Sequence, residues 1–202
     1  MDVLIQWLDK HDRKPFPGMM SEKASVIVSS FTFFNELSSS LLDVDLVTSI
    51  FMNELVQHDL YADAVQFLAH GLEKQKAILW AYHCLRKPDV THSKLELIKL
   101  WIQEPTEEIR LQCAEHSNDF KDPLTWLGLA VFWSGDNISM QKDVIIEPVS
   151  TLSAHGVATA LILSAVRCDP ENIIKTYLLY IEQGIISALN DNLSISDKMI
   201  NE

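Results

Sequence analysis

Along most of the chain, apolar residues recur at three- and four-residue intervals, and no stretch alternates with period two. Leu60, Ala64, Phe67, Leu68 and Leu72 form one helical stripe in "LYADAVQFLAHGL". "KQKAILWAYHCLRK" continues with Ala77, Ile78, Ala81, Cys84 and Leu85, ends on Arg86 and Lys87, and is stopped by Pro88. "THSKLELIKLWIQE" places Leu95, Ile98 and Ile102 on another face. Pro105 can occupy the first turn of the next helix, with Glu107 and Glu108 near its positive end. Asp122-Pro123 and Asp169-Pro170 read as a cap followed by a proline, opening "LTWLGLAVFW" and a helix through Ile173, Ile174, Tyr177, Leu178 and Ile181.

Earlier in the chain, Val3, Leu4, Trp7 and Leu8 give a short amphipathic helix, broken by "RKPFPG". Ser21 can cap a second helix running through Phe34 and Leu37, and Asp45 is a plausible N-cap for a third through Leu46, Ile50, Phe51, Leu55 and Val56. Residues 136–148 read as the longest irregular connection, in which "DVII" can pair as a short strand. The spacing therefore predicts an all-α domain of roughly eight to nine packed helices in hairpins, with a solenoid as the alternative arrangement. It is expected to span residues 1–192, with a frayed polar tail over 193–202.

Composition narrows the function. Twenty-eight acidic against 16 basic residues give a net charge of -12 and no basic stripe, which argues against nucleic-acid binding and favours basic partners. The most apolar segment, residues 151–167, is shorter than the ~20 residues of a membrane span and carries His155 and Gly156, so a helix buried in protein is expected. The N-terminus has no signal-peptide pattern. Cys84, Cys113 and Cys168 lie far apart without metal or disulfide spacing, as expected of reduced thiols in a cytoplasmic protein.

Catalytic patterns are sparse, and an enzyme is not the leading expectation. Asp63 and His70 share a helix face, but two ligands with Phe67 between them do not make a metal site, and no cofactor is expected. His83 and Cys84 project about 100° apart and cannot face each other. Trp133-Ser134-Gly135 lacks the GxSxG elbow, and Gly135 falls where a left-handed helix cap is expected, which makes Ser134 a last-turn residue. A ligand or metal site remains an alternative if His58, His70, His116 and His155 converge from different helices. Trp80, Phe132 and Trp133 are the candidate partner-binding residues, weighed against simple core packing.

Four pieces, "DAVQFLAHGLEKQKAILWAYHCLR", "WIQEPTEEIR", "WLGLAVFWSG" and "LSAVRCDPE", resemble in order an uncharacterised family of bacterial all-helical proteins of about this length. Some of its members are labelled twitching motility or are encoded near type VI secretion genes. This chain departs from the family pattern at Asp136, where a second glycine is usual, and at "SMQKDVIIEP", where the family has a proline-rich loop. The resemblance implies a helical fold and a bacterial cytoplasmic setting; taken with the small size, the acidity, the lack of a catalytic grouping and the family's gene company, it leads to an expected protein partner, secretion machinery or an effector. The leading expectation is thus a non-enzymatic acidic adaptor or chaperone. A small-ligand or metal-binding enzyme or sensor, and a structural subunit of a larger assembly, are the alternatives.

Overall fold

The computed structural model describes residues 14–86, 92–115, 118–141, 143–168 and 170–189. Ten α-helices lie within them: α1 (Ala24–Val28), α2 (Glu36–Ser40), α3 (Thr48–Gln57), α4 (Tyr61–Gly71), α5 (Lys74–Leu85), α6 (Ser93–Gln103), α7 (Glu107–Glu115), α8 (Pro123–Phe132), α9 (Leu152–Cys168) and α10 (Ile173–Leu189). A single 3-10 turn, Pro170–Asn172, precedes α10. Among the described residues no β-strand is formed, and the fold is all-α as the periodicity predicts. Two isolated bridges, Met19 with Leu72 and Lys23 with Val47, tie the leading segment to the helices.

At the centre lies α4. Ala64, Val65, Phe67 and Leu68 are completely buried, and so, nearly, are the polar Asp63, Gln66 and His70. The apolar stripe faces α9, α10 and α3, as an amphipathic helix should. The polar face is covered too, by residues 30–38. Asp63 accepts hydrogen bonds from the backbone N–H of Phe34 at 2.7 Å and Asn35 at 3.2 Å, and from the Ser38 hydroxyl at 2.5 Å. A carboxylate from the core helix thus satisfies donors at the start of α2, whose own cap is Asn35.

Helices α9 and α10 return from the far end of the sequence to pack on α4 and α5. In a solenoid each unit touches only its neighbours, so the arrangement is closed. Small residues permit the close crossings. A Cβ on Gly184 of α10 would lie 2.7 Å from Leu68 and 3.0 Å from Trp80. A Cβ on Gly156 of α9 would lie 2.9 Å from that of Ala130 in α8, and the buried Ser153 hydroxyl donates to the Ala130 carbonyl at 2.9 Å. Among the described residues no helix is long and apolar enough to cross a membrane.

Several local expectations are corrected. The helix expected from Ser21 through Leu37 is two five-residue helices, with the Ser21 hydroxyl turned onto Lys23. Asp45 does not cap α3: it pairs with Lys23 at 2.6 Å, and Val47 stands at the cap. Pro105 precedes α7 instead of entering its first turn, and the Thr106 hydroxyl accepts from the Ile109 N–H. The helix expected over Val3–Leu8, Asp169 as a cap and the 193–202 tail lie outside the described residues.

Candidate functional site

The end of α8 and the connection that follows it form the most elaborated surface feature. At its start, Asp122 accepts from the Leu124 N–H at 2.9 Å with Pro123 in the first turn, as the cap-then-proline pattern predicts. At its end the chain leaves through Trp133 in a right-handed conformation (φ -77°, ψ -5°). Gly135 is therefore not a left-handed cap, since no glycine among the described residues has positive φ. The Ser134 hydroxyl donates to the Val131 carbonyl at 2.7 Å, which makes it a last-turn residue as expected.

What Gly135 supplies is room for Arg110. A Cβ there would lie 2.6 Å from the Arg110 Nε. Arg110 reaches over from α7 and is only 4% exposed. Its Nη1 donates to the Phe132 carbonyl and its Nη2 to the Asn137 carbonyl at 2.7 Å. The fork also holds Glu107, through Nε at 2.7 Å and Nη2 at 2.5 Å, while the guanidinium lies 5.1 Å from the centre of the Phe132 ring. A cation is thus set against the negative end of α8, whose last carbonyls have no partner within the helix. The hydrogen bond from Arg110 holds the Glu107 carboxyl below its ordinary range, against the opposing effect of desolvation.

From this anchor the chain enters a small, strand-like turn organised by Asn137. Its Oδ1 accepts from the N–H of Ser139 at 2.9 Å and of Ile146 at 2.8 Å, and its Nδ2 donates to the Val144 carbonyl at 3.2 Å. The Ile138 N–H donates to the Ile146 carbonyl at 2.8 Å. Residues 144 and 146 therefore turn their backbone polar groups inward. Ile145 and Glu147, which alternate with them, make no hydrogen bond to the described residues. The side chains here are apolar and open to solvent: Ile145 is 78% and Val149 65% exposed, with Met140, Val144 and Ile146 also exposed. Five large apolar side chains on one short connection exceed the scattered exposure normal for a monomer surface.

The three aromatic candidates separate. Trp80 is fully buried, its indole N–H donating to the Tyr180 carbonyl at 2.9 Å, and Phe132 is buried beneath Arg110. Both fill the protein's own core. Trp133 alone keeps partial exposure, at the base of the apolar connection.

Of the four scattered histidines, two meet. His70 and His155 stack edge to face with ring centres 4.6 Å apart, between α4 and α9. His58 caps α3 and bonds back to the Glu54 carbonyl, while His116 lies outside the described residues. The Ser30 hydroxyl donates to the Ile27 carbonyl at 2.7 Å, so its oxygen accepts from His70 Nδ1–H at 3.1 Å. That tautomer leaves a lone pair on Nε2, which has no partner among the described residues. Burial, reinforced by His155, pushes the His70 pKa down to about 3, so the ring is neutral near pH 7. Among the described residues no three His, Cys, Asp or Glu side chains are grouped to hold a metal. Burial also raises the thiol pKa of Cys84, and that of Cys113 to about 12, which keeps both protonated and unreactive near neutral pH.

Arg110, Asn137 and the Ile145–Glu147 edge did not stand out in the sequence. Arg110 has the spacing of an ordinary surface pair with Glu107, three residues away on α7, and only the packing of α7 on α8 buries it. The strand propensity of "DVII" was the one local signal.

Fold and surface together define a closed all-α domain with an arginine-anchored apolar connection between two of its helices. The chain belongs to the family of unknown function DUF6931, whose model matches residues 51–188, from α3 to the end of α10. No curated protein and no solved structure matches it.

Proposed function

We propose that the protein is a non-enzymatic protein-interaction module that presents the connection between α8 and α9 to a polypeptide partner. The observation that carries this is a conjunction: a buried arginine holds the base of the connection, and the part so held exposes Val144, Ile145, Ile146 and Val149. Apolar side chains kept in water on an anchored backbone are costly unless a partner covers them. Trp133, half-buried where the same connection leaves α8, is the candidate aromatic that keeps a surface for such a contact. The finer reading is an acidic adaptor or chaperone serving a bacterial secretion system. It rests on the net charge of -12 and on the family resemblance of "WLGLAVFWSG" and its companion stretches.

A second reading, a small-ligand or metal site between helices, has the His70–His155 contact in its favour. Two imidazoles supply half of a four-coordinate set, so the interaction reading is preferred.

The test is photo-crosslinking in the native cell, with a photoreactive amino acid in place of Ile145 and, as control, of the exposed Glu171. The module reading expects a discrete adduct with another polypeptide from position 145 alone. No adduct, or the same adducts from both positions, contradicts it.

A further inference from the structure

We infer that the outer backbone edge of residues 145–147 is a docking edge for an extended strand of a different protein, one that alternates basic and apolar residues. The inference rests on the interaction reading above and names the partner's chemistry.

In a strand, the N–H and C=O of one residue point to one side and those of the next to the other. The inward side is occupied: the Ile146 N–H and C=O and the Val144 C=O are bonded to Asn137 and Ile138. The outward side, at Ile145 and Glu147, has no bond to the described residues. Pro148, which lacks an N–H, falls on the inward register and removes no outward donor. The segment thus offers two consecutive donor–acceptor pairs in the spacing that strand addition uses.

Charge decides what fits. Asp143, in the turn closed by the Val144 N–H and the Gln141 carbonyl, and Glu147 are exposed on either side of Ile145. A second copy pairing antiparallel about a two-fold axis has few registers to choose from. Centred on Ile145, the pairing sets each Glu147 opposite the other copy's Asp143. Centred on Glu147, it opposes the two Glu147 side chains. Between these, it sets each Ile145 against a Glu147. Like charges directly opposite destabilise a pair, and an isoleucine facing a carboxylate wastes both. A strand with a basic residue opposite Glu147, an apolar one opposite Ile145 and a basic one opposite Asp143 satisfies all three positions. The partner is therefore a basic and apolar strand, and the chain's net charge of -12 attracts it at longer range.

The experiment measures binding of a blocked, fluorescent peptide with the core lysine–valine–isoleucine–valine–lysine to the full chain by anisotropy. Its acidic counterpart, with glutamates for the lysines, and an N-methylated version that lacks the bonding N–H groups are the controls. The basic peptide is expected to bind about tenfold or more tightly than either control. Ile145→Pro, at an exposed position and checked for an unchanged melting curve, should remove binding. Glu147→Lys should shift the preference toward the acidic peptide. Absence of binding by the basic peptide, equal binding of both charge types, or indifference to N-methylation overturns the inference. So does a concentration-dependent dimer abolished by Ile145→Pro, because the edge would then be occupied by a second copy. Crosslinking from position 145 with no peptide binding overturns this inference and leaves the interaction reading standing.

Discussion

His70 shows how one buried polar side chain ties stability to pH. Its ring is enclosed by Phe31, Ser30 and His155, and burial depresses its pKa to about 3. In the unfolded chain a histidine titrates near ~6.5. Between these values the unfolded state binds the extra proton, so the contribution is intact above about pH 6.5 and is lost progressively as pH falls toward 3. Between pH 7 and pH 5 the loss from this residue is about 2 kcal/mol. Urea unfolding at both pH values should show His70→Gln with a drop smaller than the wild type's by about that amount. Equal drops in the two proteins would mean that His70 is not held neutral by the fold.

At the scale of elements, the exit from α8 depends on a neighbouring helix. Arg110→Ala would leave the Phe132 and Asn137 carbonyls without their donor and should cost roughly 2–4 kcal/mol, measured by urea denaturation. Arg110→Lys should recover only part of that, because an ammonium cannot reproduce the fork. A change below about 0.5 kcal/mol for Arg110→Ala would show that the anchor is dispensable. This joint also shows where the sequence was legible and where it was not. Helices α4, α5, α6, α8, α9 and α10 follow from apolar stripes and from caps such as Asp122-Pro123, all of them local signals. The break between α1 and α2 does not, because it is held by Asp63 from the first turn of α4. A carboxylate on the polar face of a helix looks solvent-exposed until a distant segment covers it. Gly135 was legible as the end of α8, but for a conformational reason that proved to be spatial: it clears the path of Arg110.

Across the whole molecule, the core is one continuous set of side chains from Phe16 to Ala188, closed by α9 and α10 over α4 and α5. Trp80 belongs to that core and Phe132 is buried under Arg110, so two of the three candidate aromatics are spent on holding the fold. The partner surface proposed above is the connection from Asn137 to Val149, where an anchored backbone turns one edge inward and one toward solvent. Residue-resolved amide hydrogen exchange by NMR reads the two sides of that edge separately. Slow exchange is expected at Ile138 and Ile146, whose N–H groups are bonded, and near-unprotected exchange at Ile145 and Glu147, which become protected when the lysine-bearing peptide is added. Exchange at Ile138 and Ile146 as fast as at Ile145 and Glu147 would contradict it, because the connection would then have no formed edge to offer a partner.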